Sequence, residues 1–268
     1  MTIQFHDKQI YVEVHGQGEP LILLNGIMMS SLSWKPFIDV LSKYNKLILI
    51  DFLDQGQSSR MEDNYDIKLQ AEVVKSVLDA LELKQAHIAG ISYGASVSMQ
   101  FAVLYPEYVQ TLVLFNCVSY TSPWMCDLGK SWTAARATPQ LYYNATIPII
   151  YSSGFYNRNT DWINVRKDFL TKYIFNNQNF LDAMDRLTYS TNDYDVRDGL
   201  NKITAKTLVV GSKDDGLTPV SEQKYISDNI PGANLVIVED CGHATMYEKP
   251  DVFTSLITGF VNNDSITI

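Results

Sequence analysis

The chain has 268 residues, 46% of them hydrophobic and 19% charged, as in an ordinary soluble globular protein. This length supports one large core and is short for two full domains. The formal net charge is -9 and Lys and Arg are not clustered, which argues against partners such as nucleic acid or an anionic membrane.

The chain shows no sign of membrane insertion or export. No run approaches the ~18 apolar residues of a membrane span, and residues 1–8 hold no long apolar stretch that predicts a signal peptide. The 3 cysteines are odd in number and lack metal-like spacing, which predicts reduced thiols and a cytoplasmic location.

Short apolar runs predict the strands, beginning with residues 10–14, which alternate like an edge strand. Residues 15–20 read as a turn and residues 21–24 as a buried strand, so we expect an N-terminal hairpin. Unbroken aliphatic runs fit parallel strands that are covered on both faces. The later predicted strands are residues 46–51, 86–89, 111–115, 207–210 and 235–238.

Helical segments alternate with these strands. Their apolar residues recur at helical spacing, and alternation of strands and helices predicts an α/β fold with a mostly parallel central sheet and helices on both faces. The predicted helices are residues 33–44, 67–83, 92–104, 219–230 and 251–261.

Residues 119–198 break the alternation, because they are rich in aromatic side chains and contain no convincing buried strand. We expect several inserted helices that form a cap over the sheet, with residues 1–118 and 199–268 as the core. Most of the rings would pack the cap onto the core. A few would line a pocket for an apolar or aromatic acyl substrate.

The segment Gly90-Ile91-Ser92-Tyr93-Gly94 lies between a predicted strand and a predicted helix. A G-x-S-x-G sequence in that context is typical of the nucleophile elbow of serine hydrolases. The turn is so sharp that both flanking positions need glycine. The hydroxyl of Ser92 is then raised into a cleft, with the helix N-terminus directed at developing negative charge.

A serine hydroxyl needs a base to remove its proton. Of the 4 histidines, His6 and His15 lie in or beside the predicted hairpin and His87 lies at the start of a strand. His243 instead follows the strand 235–238, at the same sheet edge as Ser92, where ligands of open α/β sheets bind. We therefore predict His243 as the base.

The base needs a carboxylate to hold its tautomer. Asp214 and Asp215 are adjacent in the loop after the strand 207–210, and only one of them can point at His243. We prefer Asp215 and keep Asp214 as the alternative acid. The tetrahedral intermediate needs N–H donors, for which we predict the backbone amides of Tyr93 and Ile27.

These motifs together resemble the α/β-hydrolase superfamily over nearly the whole chain. Asn25-Gly26 stands where that family usually has His-Gly, and residues 51–58 are similar to its D-x-x-G-x-G-x-S segment, with Asp54 in place of the first glycine. Residues 215–219 resemble its D-x-x-T-P acid loop. The Asp-to-Pro spacing there favours Asp215, whereas the distance from Gly211 favours Asp214.

The resemblance implies hydrolysis of esters or related acyl compounds by Ser92, His243 and Asp215, without a cofactor or metal. Residues 24–28 and 56–58 are also similar to hydroxyacyl ester synthases of rhamnolipid assembly, which implies acyl transfer as an alternative. A ligand-binding protein on a hydrolase fold is a third interpretation. The expected partner is a small acyl substrate, and the oligomeric state stays open, a homodimer included.

Overall fold

Eight strands form a single sheet in the computed structural model, which describes residues 1–262. The order across the sheet is β1-β2-β4-β3-β5-β6-β7-β8; β1 with β2 and β2 with β4 are antiparallel, and all later pairs are parallel. The mostly parallel sheet is thus confirmed. The strands are β1 (Thr2–Phe5), β2 (Lys8–His15), β3 (Glu19–Leu24), β4 (Asn45–Ile50), β5 (Ala86–Ile91), β6 (Val109–Phe115), β7 (Lys206–Ser212) and β8 (Asn234–Val238).

The helices alternate with the strands and also fill the stretch between β6 and β7. The α-helices are α1 (Ile38–Leu41), α2 (Lys68–Ala80), α3 (Tyr93–Leu104), α4 (Pro123–Ala135), α5 (Pro139–Thr146), α6 (Ser153–Arg158), α7 (Thr160–Phe169), α8 (Gln178–Tyr189), α9 (Val220–Asn229), α10 (Thr245–Glu248) and α11 (Pro250–Asn262). A π-helix, Leu170–Ile174, extends α7. Residues 1–262 also contain four 3₁₀ segments: Ser31–Phe37, Pro106–Tyr108, Pro148–Ile150 and Arg197–Lys202.

The predicted N-terminal hairpin is wrong. β2 pairs with β1 on one side and with β4 on the other, whereas β3 lies beyond β4 and runs parallel to β4 and β5. Because β3 is an unbroken aliphatic run, it is suited to a position between two neighbours in the buried centre of the sheet. The true hairpin partner, β1, was missed, although its Ile3 and Phe5 are buried.

The aliphatic strands separate two hydrophobic cores, one on each face of the sheet. In β3, Leu21 and Leu23 belong to one core, and Ile22 and Leu24 belong to the other, as the two-residue period of a strand requires. Helices α2, α3 and α9 pack on the face that carries Ile22 and Leu24. Helices α1 and α11 pack on the face that carries Leu21 and Leu23.

The segment predicted as a helix over 33–44 is not a continuous α-helix. It forms the 3₁₀ segment Ser31–Phe37 followed by the single α-turn of α1. Pro36 lies inside this segment and has no N–H to donate, so a regular α-helical ladder cannot run through it.

Residues 119–198, here called the insert, contain α4 to α8 and contribute no strand to the sheet. The insert has its own hydrophobic cluster, which includes Tyr142, Tyr143 and Phe175 and reaches Ala244 of the loop after β8. Its role as a cap, and the division of the chain at these boundaries, stay predictions. Residues 263–268 of the predicted core lie outside the described residues.

Across residues 1–262, none of the helices has the length and apolar character that a membrane crossing requires.

Candidate active site

Ser92 occupies a tight turn between β5 and α3. Its backbone has φ 55° and ψ -120°, a region that non-glycine residues rarely adopt. Both flanking glycines are required by close packing: a Cβ at Gly90 would lie 2.5 Å from the carbonyl oxygen of Gly94, and one at Gly94 would lie 2.3 Å from that of Leu24. The turn places the Ser92 hydroxyl at the carboxyl end of the sheet, beside the first turn of α3.

His243 lies between Ser92 and Asp215. Its Nε2 is 2.8 Å from Ser92 Oγ, and its Nδ1 is 2.8 Å from Asp215 Oδ2. A carboxylate can only accept, so Nδ1 carries the hydrogen, and Nε2 of the neutral ring is left to accept the hydroxyl hydrogen of Ser92. Three loops that are distant in sequence thus bring a hydroxyl, an imidazole and a carboxylate into one hydrogen-bonded line.

The other histidines lie elsewhere. His6 is exposed, and His15 contacts Glu13 at 3.0 Å. His87 is buried in β5, with its Nδ1 2.9 Å from Thr111 Oγ1.

The Asp215 carboxylate is buried and fully hydrogen-bonded. Its Oδ1 accepts from the backbone amides of Leu217 and Thr218, and its Oδ2 accepts from the Thr218 hydroxyl at 2.6 Å in addition to His243. Burial on its own would raise the pKa of Asp215, but the electrostatic attraction between the carboxylate and the His243 ring and the hydrogen bonds from His243 and Thr218 outweigh it. The pKa therefore lies below its ordinary value, and the carboxylate stays ionised beside His243.

Asp214 has a different environment. Its side chain is exposed, while its backbone amide donates to the carbonyl of Cys241 at 2.9 Å. The structure therefore brings Asp215, and not Asp214, to His243.

Asn116, directly after β6, was missed by the sequence analysis. Its side-chain amide donates to Asp215 Oδ2 at 2.9 Å and to Ser212 Oγ at 3.0 Å, and its Oδ1 accepts from the Thr245 hydroxyl at 3.1 Å. Asn116 thus ties Asp215 to the end of β7 and to the start of α10. A polar residue at the carboxyl end of a central strand was the available signal.

The two predicted oxyanion donors flank Ser92. Among the described residues, the backbone amides of Ile27 and Tyr93 donate to no protein acceptor, and both residues line the space next to Ser92. Gln55 holds the Ile27 loop in place, because its side-chain amide donates to the carbonyls of Gly26 at 2.9 Å and Ile27 at 3.1 Å.

Two cavities meet at the Ser92–His243 pair. Chamber A extends past Cys117, Thr121 and Tyr194. Chamber B extends past Met28, Arg166 and Phe175. The walls common to both chambers are Ile27, Ser92, Trp132, Leu217 and His243.

The thiols near the site are held protonated. Burial raises the pKa of Cys241 to about 11, and burial also raises the pKa of Cys117, a chamber A residue, well above its ordinary value. A protonated thiol is a poor nucleophile, so Ser92 has no competitor in these cysteines. Within residues 1–262, no group of three or more His, Cys, Asp or Glu side chains is placed to hold a metal ion.

A model of the alpha/beta hydrolase family matches residues 21–256. The chain belongs to the alpha/beta hydrolase family. Among solved structures of this family is MGS-M2, an alpha/beta hydrolase enzyme from a Medee basin deep-sea metagenome library. It is similar to this chain with a TM-score of 0.97 and 41% identity, over 100% of this chain and 99% of the other. The α/β-hydrolase fold is therefore confirmed.

Curated relatives of the chain are named as hydrolases of different small molecules. A putative carbamate hydrolase, RutD, of Azorhizobium caulinodans is 27% identical over 95% of both chains. A 2-hydroxy-6-oxo-6-phenylhexa-2,4-dienoate hydrolase of Comamonas testosteroni is 27% identical over 95% of this chain and 92% of the relative. By its family, this chain is a hydrolase.

Proposed function

We propose that this hydrolase cleaves a carboxylic ester or a related acyl compound through an acyl-enzyme on Ser92. The observation that carries the proposal is the hydrogen-bonded line from Ser92 through His243 to Asp215, located where two chambers meet. A nucleophile with cavities on either side can hold the acyl part of a substrate in one chamber and the leaving group in the other.

In the first step, Ser92 Oγ attacks the substrate carbonyl while Nε2 of His243 takes the hydroxyl proton. Asp215 keeps the ring in the required tautomer and stabilises the imidazolium that forms. The Ile27 and Tyr93 amides donate to the oxyanion of the tetrahedral intermediate, each such donor being worth about 3 kcal/mol. His243 then protonates the leaving group, and the acyl group remains bonded to Ser92.

In the second step, water attacks the acyl carbonyl and gives its proton to His243. The second tetrahedral intermediate uses the same two amides, and its collapse returns the proton to Ser92 Oγ. Acyl transfer would follow the same path with an alcohol in place of water. The two reactions are distinguished by adding a simple alcohol during turnover. Acyl transfer yields the new ester, and hydrolysis yields the free acid.

We also propose that the insert is a cap that sets specificity. Thr121, Met125 and Thr188 of the insert line chamber A, and Ile147, Leu170, Phe175 and other insert residues line chamber B. These side chains are mostly apolar, which supports an apolar acyl chain as part of the substrate.

The three free cysteines support the cytoplasm as the location of the protein.

A fluorophosphonate probe tests the nucleophile. We expect wild-type protein to be labelled and Ser92→Ala to remain unlabelled, with loss of p-nitrophenyl ester hydrolysis. Ser96→Ala is the matched control, since Ser96 also lines chamber A, and it should keep the label. Labelling that persists in Ser92→Ala would refute the assignment of the nucleophile.

A further inference from the structure

Arg166 of α7 lies in the wall of chamber B. Aromatic rings hold its guanidinium, which lies 4.6 Å from the ring centre of Tyr247 and 5.5 Å from that of Trp162. The side chain is half-buried, and a guanidinium keeps its charge at every physiological pH. The chamber that contains the Ser92 hydroxyl therefore also contains a fixed positive charge.

This charge has no carboxylate to neutralise it. Arg136, Arg158, Arg186 and Arg197 all pair with aspartates, whereas Arg166 forms no ion pair within the part of the chain that the structure describes. Its buried Nε also has no hydrogen-bond partner there.

The carboxylate next to Tyr247 in sequence is engaged elsewhere. Glu248 follows Tyr247 on α10, but its two carboxylate oxygens accept from the backbone amide and the hydroxyl of Ser152, at 2.8 and 2.6 Å. No Asp or Glu is among the described residues that line chamber B. A half-buried cation that aromatic side chains contact but no carboxylate neutralises keeps part of its desolvation cost, and an anionic ligand would offset that cost.

Trp132 supplies a second donor to the same space. Its ring lines both chambers, and its indole Nε1 is buried without a hydrogen-bond partner among residues 1–262. Buried indole N–H groups usually find a partner. In a wall that is otherwise mostly apolar, two unpartnered donors point to a ligand that brings its own oxygens.

We propose that Arg166 is an anion subsite in chamber B and that the substrate carries a carboxylate, with the indole of Trp132 as an additional donor. The substrate class is then an ester, or related acyl compound, that has an apolar stem and an acidic end. This inference rests on the proposed function for its reaction, while the binding of the carboxylate depends on Arg166 alone.

Two p-nitrophenyl esters of equal acyl length test the subsite: the half-ester of adipic acid, which ends in a carboxylate, and the neutral hexanoate. We expect wild-type kcat/KM to favour the half-ester, and Arg166→Gln to lower that preference roughly 10- to 100-fold, as for loss of a charged hydrogen-bond partner. Arg166→Lys should retain part of the preference for the half-ester. The control is Arg158→Gln, which removes an exposed arginine that pairs with Asp240 and should keep the full preference.

Either a wild-type enzyme without preference for the half-ester or an unchanged preference in Arg166→Gln would overturn the subsite. If Arg166→Gln does not fold, the subsite is judged from the ratio of kcat/KM for the half-ester to kcat/KM for the hexanoate, measured in wild type and in Arg166→Lys. Binding of hexanoate and hexanamide to Ser92→Ala, measured by calorimetry, needs no turnover. If the fluorophosphonate fails to label the wild-type protein, the proposed function fails, and tighter binding of hexanoate than of hexanamide would still sustain the subsite.

Discussion

Asp214 and Asp215 are neighbours in sequence with opposite environments. Asp215 is buried, accepts hydrogen bonds from the backbone of its own loop and contacts His243, whereas the Asp214 side chain is exposed. The loop turns sharply enough at these residues that only one carboxylate reaches the interior. The motif spacing alone did not decide whether Asp214 or Asp215 is the acid, because spacing counts residues and does not fix the direction of a side chain.

Asp215→Asn is expected to lower kcat roughly 10³- to 10⁴-fold, because an asparagine amide cannot hold the His243 tautomer that accepts the Ser92 proton. Asp214→Asn serves as the matched control and should stay near wild type. Steady-state hydrolysis of a p-nitrophenyl ester measures both variants. A larger loss in Asp214→Asn than in Asp215→Asn would assign the acid to Asp214.

Asn25 illustrates how a departure from the family pattern is accommodated. Its side-chain amide donates to the carbonyl of Ile50 at 2.9 Å and to Gln55 Oε1 at 3.0 Å, and its oxygen accepts from the Trp34 indole at 2.6 Å. Gln55 in turn holds the carbonyls of Gly26 and Ile27. Where the family usually has histidine, Asn25 thus anchors the loop that carries the proposed oxyanion donor.

The loop after β4, residues 51–58, connects the core to the insert. Asp54 has a positive φ of 69°, at the position where the family pattern has glycine. Its carboxylate is buried and pairs with Arg186 of α8 through Nε at 3.1 Å and Nη2 at 2.6 Å. The strained backbone therefore coincides with a charge pair between the core and the insert.

Arg186→Met is expected to lower the free energy of unfolding by about 3–5 kcal/mol, because it leaves the Asp54 carboxylate buried without its partner. Asp54→Gly should lower the free energy of unfolding by less than Arg186→Met does, since it removes the buried charge and since glycine accepts the positive φ. Arg158→Met is the control; its pair with Asp240 is exposed and worth about 0–1 kcal/mol. Urea unfolding measures all three, and equal losses in Arg186→Met and Arg158→Met would contradict the prediction.

At the level of elements, the central strands were predictable because each is a short aliphatic run followed by turn residues. Strand pairing was less predictable. Residues 10–14 and 21–24 follow one another in the sequence as β2 and β3, yet β4 lies between these two strands in the sheet. Local pattern identifies a strand but does not identify its neighbour, which depends on contacts across the whole sheet. β1 was missed because it is short.

The parts of the site on sheet-edge loops were predictable, since motif spacing places them at a common edge. Arg166 and Trp132 lie on helices of the insert, where no motif fixes the packing, so their position in the chamber walls could not be inferred. Asn116 follows a predicted strand and was accessible to the same reasoning as His243. Its role emerges only from its contact with Asp215 Oδ2.

On the scale of the whole molecule, the region around Asp215 joins three strands. Asn116 follows β6, Asp215 follows β7 and His243 follows β8, and their side chains form one buried hydrogen-bonded group. The ionised state of Asp215 is therefore part of the folded structure as well as of the proposed chemistry. Its protonation should weaken the fold.

The sign of this linkage follows from the lowered pKa of Asp215. The folded protein binds a proton at this carboxylate less readily than the unfolded chain, so Asp215 contributes stability above its ordinary pKa of about 4. That contribution is lost as the pH falls through the folded pKa. Hydrogen bonds from Lys75, Arg197 and Arg158 also lower the pKa values of Asp79, Asp195 and Asp240, but these carboxylates are exposed to solvent screening.

We therefore expect the free energy of unfolding of wild-type protein to fall as the pH decreases below about 4, and to fall less steeply in Asp215→Asn. The exposed carboxylates are common to both proteins and cancel in the comparison. Urea unfolding followed by tryptophan fluorescence at a series of acidic pH values measures the two slopes. Parallel slopes would show that the Asp215 carboxylate has the same proton affinity in the folded and unfolded chains, contrary to the hydrogen bonds that surround it.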